Sequence, residues 1–228
     1  MLYTHFSGFA LERVPPGAKR VLDIGCGTGT LGREIKKKMP CEVLGITYSE
    51  EEAKLARIEL DRVLVEDLNH FDVRQTGRFD CVICSHVLEH LNQPEVLLSR
   101  IHNILQPDGK LLVVLPNTLF WKQRLLFLRG QFKYTDQGIL DRTHVRFYDW
   151  ESANALLRDS GYIVSESFVD GMFPLRGLRG ISPTLCRRID QAMGVVLPGL
   201  FGFQFIFTCE SSKAGAGPSF EALSSYNR

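Results

Sequence analysis

Residues 20–29 read Arg-Val-Leu-Asp-Ile-Gly-Cys-Gly-Thr-Gly, and this stretch decides the fold. The apolar residues after Arg20 predict a short buried strand. Three glycines, Gly25, Gly27 and Gly29, remove side chains from the turn that follows, so a ligand can approach bare backbone. Apolar residues then recur with helical spacing over residues 30–40. The stretch therefore predicts a strand, a glycine turn and a helix whose first amide groups face a ligand.

Length and composition bound the class of protein. A chain of 228 residues with 44% hydrophobic content suits one domain with an added lobe. Lysine and arginine (27) nearly balance aspartate and glutamate (26), so we expect no nucleic-acid partner. The N-terminus lacks the pattern of a signal peptide, which favours a cytoplasmic location. Glycine and proline interrupt the uncharged residues 191–209, for which we predict a turn and a buried strand rather than a transmembrane segment.

Strands and helices alternate along the chain. Further strands are predicted at 42–47, 63–65, 79–84, 110–115, 162–169 and 200–209, with helices opening at Ser49, Pro94 and Asp149. Such alternation predicts a mostly parallel sheet covered by helices on both faces. Ligands of these sheets bind at the carboxyl ends of the strands, where the strand order reverses. Residues 25–29 should lie at that point.

Four further segments surround the predicted domain, which spans residues 20–210. Residues 1–19 are expected to form an N-terminal flap, in which Phe6 and Phe9 pack over the mouth of the site. Two irregular insertions, 117–148 and 171–198, interrupt the alternation and are interpreted as lids. Residues 211–228 are rich in glycine, serine and alanine and are expected to be a mobile tail.

The motifs resemble those of a known family. Residues 23–29 match D-x-G-x-G-x-G, motif I of the class I S-adenosylmethionine-dependent methyltransferases. Residues 79–85, 88–91 and 105–110 resemble that family's fourth strand, the turn after it and the L-x-P-G-G turn before strand five. The resemblance implies a doubly wound, Rossmann-like α/β fold with a seven-stranded, mostly parallel sheet whose last strand is antiparallel. Residues 117–147 look most like small bacterial members of the MetW type and of polysaccharide or lipid-linked sugar pathways.

The resemblance implies S-adenosylmethionine as cofactor. Its methionine end should bind the glycine turn, with Asp23 supplying negative charge, although Asp23 could instead only cap the turn. The predicted cofactor-binding residues are Asp23, Gly25, Cys26, Gly27, Gly29, Thr47, Tyr48, Asp67, Leu68 and Ser85. Thr47 departs from the family, because an acidic residue there usually binds the ribose hydroxyls. Either Glu50 or Glu51 reaches in from the next helix, or cofactor affinity is weak or lost. An aspartate at position 47 should tighten cofactor binding, unless one of these glutamates already fills the role.

The remaining candidate residues concern the acceptor, which we expect to be a hydroxyl on a small or lipid-linked molecule, with peripheral membrane contact left open. A hydroxyl nucleophile benefits from a general base, and the candidates are His144, His86 and His90. Each could instead be structural. Trp121, Arg142 and Arg146 are predicted to bind the acceptor: if residues 142–146 are extended, both arginines share one face with His144. Arg176 and Arg179 would add positive charge.

Three other functions compete with methyl transfer. Residues 86–90, His-Val-Leu-Glu-His, match the H-x-x-E-H motif of some zinc peptidases, but the sequence shows no third ligand, so no metal site is predicted. Residues 27–32 match G-x-G-x-x-G of NAD-dependent oxidoreductases. The first glycine of that motif should directly follow the strand, yet the strand here already ends at Gly25. Thr47 and the MetW-like features also fit a catalytically silent, cofactor-binding regulatory partner.

Overall fold

The computed structural model of the chain describes residues 8–175 and 178–212, and within them seven strands form one sheet. Arg176, residues 1–7 of the expected flap and residues 213–228 of the expected tail lie outside the described residues. The strands are β1 (Arg20–Ile24), β2 (Glu42–Thr47), β3 (Arg62–Val65), β4 (Phe79–Ser85), β5 (Leu105–Pro116), β6 (Tyr162–Gly171) and β7 (Gly202–Ser211).

Helices connect the strands on both faces of the sheet. They are α1 (Gly8–Arg13), α2 (Thr30–Lys38), α3 (Glu50–Glu59), α4 (Pro94–Ile101), α5 (Trp121–Leu128), α6 (Trp150–Asp159), α7 (Leu178–Ile181), α8 (Pro183–Val196) and α9 (Pro198–Phe201). Short 3₁₀ turns occupy Val73–Thr76 and Leu88–His90.

The strand order is β3-β2-β1-β4-β5-β7-β6. Strands β1 to β5 pair in parallel, whereas β7 is antiparallel to both β5 and β6. This confirms the predicted doubly wound, seven-stranded sheet with an antiparallel last strand. The order reverses between β1 and β4, so the turns that follow these two strands leave the same edge side by side.

Alternate residues of each strand build two apolar clusters, one on each face. On β1, Leu22 and Ile24 lie in the cluster that β7 joins through Phe205. Val21 points the other way, into a cluster that contains Ala10 of the N-terminal helix α1. This is the period of two expected of a strand buried on both faces. The two clusters hold the carboxyl edge of the sheet rigidly.

The second insertion is more regular than predicted. Residues 183–196 form helix α8, so the first part of the uncharged stretch 191–209 is helical, and only its end forms the expected buried strand. Gly194 lies inside this helix, at ordinary packing distance from Val169 and Gly171 of β6, so it does not mark an interruption. No helix among residues 8–175 and 178–212 is long and apolar enough to cross a membrane.

The contact between α8 and β6 predicts the outcome of one substitution. A Cβ at Gly171 would collide with the backbone carbonyl of Asp190, which cannot rotate away. Gly171→Ala should therefore lower the free energy of unfolding by about 2 kcal/mol, the usual cost of overpacking. Urea unfolding measures the change, and Gly180→Ala, where no atom lies within 4 Å of the new Cβ, is the control. Equal stability of the two variants would contradict the proximity of α8 and β6.

Candidate functional site

The glycine turn after β1 has the backbone that its sequence requires. Gly25, Gly27 and Gly29 adopt φ angles of 74°, 52° and 81°, in the left-handed region that favours glycine. A Cβ at Gly25 would also collide with the side chain of Val87, which belongs to the turn after β4. The turns after β1 and β4 are therefore packed directly against each other.

Neighbouring backbone holds the turn in place. The amides of Gly25 and Cys26 both donate to the carbonyl of Ile46 in β2, at 2.8 and 2.9 Å. Gly29 is the N-cap of α2, and its own amide donates to the carbonyl of Cys26. The turn is thus prepared before any ligand arrives, and the start of α2 points out of it.

Asp23 lies beneath this turn with only 2% of its surface exposed. Its Oδ2 atom has no hydrogen-bond partner among the described residues. Burial raises the pKa of this carboxyl from its ordinary value near 3.8 to about 7. A buried carboxylate without a partner is costly, and a cation bound at the turn would relieve that cost. A cation bound beside the turn would therefore stabilise the ionised form of Asp23.

The acid that approaches the turn from α3 is Glu52, which sequence reasoning missed. Thr47 is buried at the end of β2, and its hydroxyl donates to Glu52 Oε2 at 2.7 Å. The thiol of Cys26 has its pKa raised by burial, by Asp23 and by Glu52, so the Glu52 carboxylate lies near the glycine turn.

Neither glutamate expected from the sequence reaches the site. Glu50 pairs with Arg57 at 2.6 Å, and Glu51 is exposed. The available signal was the helical spacing of Glu52 with the buried Ala56 and Leu60, which places Glu52 on the inward stripe of α3.

The other predicted cofactor residues lie at the ends of β2, β3 and β4. Tyr48 follows β2 and is 79% exposed, while Ser85 ends β4 and is half-buried. Asp67 accepts hydrogen bonds from the backbone and side chain of Asn69, which lower the pKa of its carboxyl. Leu68 packs against the core. Asp67 thus already stabilises its own loop, as the structural alternative for this residue requires.

The turn after β4 carries a strained histidine. His86 has a φ of 56°, the sole positive value outside glycine in the part of the chain that the structure describes. Its Nδ1 faces Glu89 Oε1 at 3.2 Å, and its Nε2 faces Gln204 Oε1 at 2.9 Å. Gln204 is oriented by donating its own amide to Asp170. Burial lowers the pKa of His86, but the hydrogen bond and charge of Glu89 outweigh it and the pKa is raised.

Both ring nitrogens of His86 therefore face oxygens that accept hydrogen bonds, which favours the doubly protonated imidazolium. In that state His86 donates both of its ring N–H groups and has no free lone pair with which to accept a proton, unlike the general base that its sequence position indicated.

Glu89, His90 and His144 form a cluster at the same edge. One ligating atom from each lies within 4.8 Å of the others, and the two imidazole rings are 4.7 Å apart. Glu89 is fully buried, and its Oε2 has no hydrogen-bond partner within residues 8–175 and 178–212. The pKa of His144 is lowered, mainly by burial, so its imidazole is neutral near pH 7. The cluster unites the turn after β4 with the first insertion.

The predicted shared face of the first insertion is wrong. Residues 141–143 form a turn, closed by the bond from the amide of His144 to the carbonyl of Asp141, and the segment is not an extended strand. His144 is therefore buried, while Arg142 and Arg146 are exposed on the other side. Arg142 pairs with Asp136.

Other acceptor residues predicted from the sequence are bonded to the fold. Arg146 donates to the carbonyl of Asn92 at 2.6 Å, and Trp121 Nε1 donates to that of Met172 at 2.7 Å. Arg179 pairs with the buried Asp190. These contacts support the structural alternative for all three side chains.

The first insertion instead encloses a cavity of about 350 Å³. Its walls are mostly apolar and include Phe120, Leu126, Ile139, Leu140, Met172 and Phe203. Two cations, Lys122 and Lys133, also line it. Ile139, which lines the cavity, also accepts a hydrogen bond through its carbonyl from His144 Nδ1 at 3.1 Å, so one shared residue connects the cavity wall to the histidine cluster.

Comparison with protein families agrees with the geometry. A family described as a methyltransferase domain matches residues 5–167. A ubiquinone biosynthesis O-methyltransferase of Xanthomonas axonopodis pv. citri (strain 306) is 32% identical over 110 residues, which cover 45% of this chain and 45% of that protein. The chain thus matches less than half the length of this relative.

Solved structures share the fold across most of the chain. An S-adenosylmethionine-dependent methyltransferase from Archaeoglobus fulgidus superimposes with a TM-score of 0.58 at 21% identity, covering 85% of this chain and 86% of the other. The magnesium protoporphyrin IX methyltransferase of Synechocystis PCC 6803, solved with bound SAH, gives 0.54 at 17% identity, covering 86% and 75%.

The burial of Asp23 predicts how stability depends on pH. The carboxyl ionises near pH 4 in the unfolded chain but near pH 7 in the folded one, so its ionisation lowers stability progressively between these values. Asp23→Asn should remove this penalty and, at about pH 8, raise the free energy of unfolding of the ligand-free protein by at most roughly 4 kcal/mol. Urea unfolding between about pH 4 and pH 8 measures the difference.

The exposed Asp159 provides the control, because Asp159→Asn should show no such dependence on pH. A gain from Asp23→Asn that is the same at both ends of the pH range would contradict the raised pKa.

Proposed function

The chain belongs to the class I S-adenosylmethionine-dependent methyltransferases, and from that premise we propose that it methylates a hydroxyl group of an amphipathic acceptor. The observation that carries this proposal is the cavity beside His144, which combines apolar walls with two lysines. An apolar body would fill such a cavity, while a phosphate or carboxylate would pair with the lysines. The relative from Xanthomonas, named an O-methyltransferase, supports oxygen as the methylated atom.

The residues around the glycine turn fit the cofactor. S-adenosylmethionine carries a sulfonium and an ammonium group, and the buried Asp23 carboxylate lacks a partner for its Oδ2 among the described residues. Gly25 is exposed and leaves its backbone open to the methionine end, and the start of α2 presents amide groups. We assign the ribose hydroxyls to Glu52, held by Thr47, and the adenine ring to the exposed Tyr48 and to Asp67 and Leu68.

Methyl transfer requires alignment and the removal of one proton. The acceptor oxygen attacks the methyl carbon, a new C–O bond forms, and the C–S bond breaks as the sulfonium becomes a neutral thioether. The hydroxyl proton must leave as the oxygen attacks. Glu89, His90 and His144 are the groups that present lone pairs near the cavity, while His86 donates hydrogen bonds. We therefore assign proton acceptance to the cluster of Glu89, His90 and His144, and hydrogen-bond donation to His86.

Glu52 also bears on the alternative of a catalytically silent partner. That alternative drew on Thr47, which lacks the carboxylate expected at the end of β2. The bond from Thr47 to Glu52 brings a carboxylate to the same place from the next helix. The lack of an acidic residue at position 47 is therefore no argument that the chain has lost cofactor binding. We propose an active enzyme rather than a catalytically silent partner.

The Thr47–Glu52 pair generates a prediction about cofactor affinity. Glu52→Gln should weaken S-adenosylmethionine binding about tenfold, because an amide accepts the ribose hydroxyls less strongly than a carboxylate does. Thr47→Asp should also weaken binding, since it places a second negative charge against Glu52, which reverses the expectation from sequence alone. Calorimetric titration measures both, with Glu50→Gln as the matched control on the exposed side of α3. Unchanged affinity in Glu52→Gln would remove Glu52 from the site.

The cavity generates a prediction about the acceptor. Transfer of a labelled methyl group should be faster to hydroxyl compounds with an apolar body and an anionic group than to their neutral or short-chain analogues. Lys122→Ala and Lys133→Ala should each raise KM for the anionic acceptor about tenfold and leave kcat nearly unchanged, because each lysine contributes to binding alone.

The control for these variants is Lys37→Ala, which removes a lysine on α2 that pairs with Glu34. The proposal would be contradicted if neutral and anionic acceptors were methylated at equal rates and if Lys122→Ala and Lys133→Ala did not change KM. The cavity would then not bind the acceptor.

A further inference from the structure

We propose that Glu89, His90 and His144 bind a divalent transition-metal ion of the zinc type. Three protein ligands would leave the fourth coordination position of such an ion open. Two imidazoles and one carboxylate are the ligand set of many catalytic zinc sites and of related iron sites. One ligating atom of each residue lies within 4.8 Å of the others. The binding site itself is independent of the proposed function, while the role of the ion in methyl transfer rests on it.

The hydrogen bonds of His90 and His144 leave the Nε2 atom of each ring available to bind a metal ion. His144 Nδ1 faces the carbonyl oxygen of Ile139 at 3.1 Å, and His90 Nδ1 faces that of Thr143 at 3.2 Å. A carbonyl can only accept, so each Nδ1 carries the proton and each Nε2 keeps its lone pair. The Thr143 hydroxyl, 3.0 Å from His90 Nδ1, donates its proton to Asp141 and therefore also accepts.

This arrangement is the usual support of metal-binding histidines. Such residues donate the second ring N–H to a carbonyl or carboxylate, which fixes the tautomer and the orientation of the ring. Here two backbone carbonyls do so, one for each ring.

Glu89 supplies an independent observation. The residue is fully buried, and although Oε1 contacts His86, Oε2 has no hydrogen-bond partner in the described part of the chain. A buried carboxylate oxygen normally has a partner, and leaving it without one costs free energy. A cation between Glu89 and the two imidazoles would provide that partner.

The ligating atoms lie slightly farther apart than they would in a site that holds a metal ion. Zinc bonds of about 2.1 Å place tetrahedral ligand atoms about 3.4 Å apart, so the cluster has to contract by roughly an ångström. Side-chain rotation is enough, because backbone bonds already join the two segments. The amides of Val145 and Arg146 both donate to the carbonyl of Glu89, at 2.9 and 3.0 Å. The segment that carries His144 is therefore held against the turn that carries His90.

The ion would solve the problem of the acceptor proton. A metal ion lowers the pKa of an oxygen ligand by several units, so an acceptor hydroxyl in the open position would lose its proton to solvent near neutral pH. The nucleophile would then be the metal-held oxygen, and no single histidine would have to act as the base. Sequence reasoning missed this site because it paired His86 with His90, whereas the third ligand comes from the first insertion.

The test uses the full chain, stripped of metal with a chelator and titrated calorimetrically with Zn²⁺. We expect saturable binding of one ion per chain. Glu89→Gln and His144→Gln should each weaken that binding at least 100-fold, because each removes one of three ligands. His70→Ala, which removes an 87% exposed histidine outside the cluster, is the control and should bind as the wild type does. Circular dichroism and binding of demethylated cofactor confirm that the variants are folded.

Absence of saturable Zn²⁺ binding to the wild type, or unchanged affinity in both folded variants, would overturn the proposal. Methyl transfer by the stripped and reloaded protein is a separate measurement. Zinc binding without methyl transfer to any acceptor would keep the metal site and contradict the proposed function. Transfer that is equally fast without metal would contradict the role of the ion and keep the function.

Discussion

The contact between Gly25 and Val87 couples the two halves of the site. Because β1 and β4 are neighbours where the strand order reverses, their turns emerge together, and the Val87 side chain occupies the space that any Cβ at Gly25 would need. The glycine turn, which is hydrogen-bonded to Ile46 of β2, therefore also packs directly on the turn that carries His86, Glu89 and His90. The proposed cofactor and acceptor sites would share this packing contact.

Local patterns in the sequence predicted the fold well. The strands, the glycine turn and the helix caps at Ser49 and Asp149 are encoded by neighbouring residues, and the structure has them where expected. Helix α8 was missed because Gly194 resembles an interruption in the sequence, whereas it lies inside the helix and packs against Val169 of β6. A contact with a distant strand leaves no trace in the local pattern.

The site was less predictable, because distant segments assemble it. Helix α3 begins with three consecutive glutamates. Glu52 differs from the other two because it lies on the buried side of the helix and accepts a hydrogen bond from the hydroxyl of Thr47. His144 turns inward because residues 141–143 form a turn, whereas an extended segment would have placed it with the arginines. In both cases the residue type was visible in the sequence, but its direction depended on tertiary hydrogen bonds.

Two buried carboxylates, Asp23 and Glu89, each leave one oxygen without a partner among the described residues. A core designed for stability alone would satisfy or replace both, since a buried polar atom without a hydrogen-bond partner lowers the free energy of unfolding. The apolar clusters on the two faces of the sheet can offset that cost. Asp23 can also remain protonated until a cation arrives, because burial raises its pKa to about 7. The edge of the sheet therefore gives up stability at the two places where the proposed cofactor and the proposed metal ion would supply positive charge.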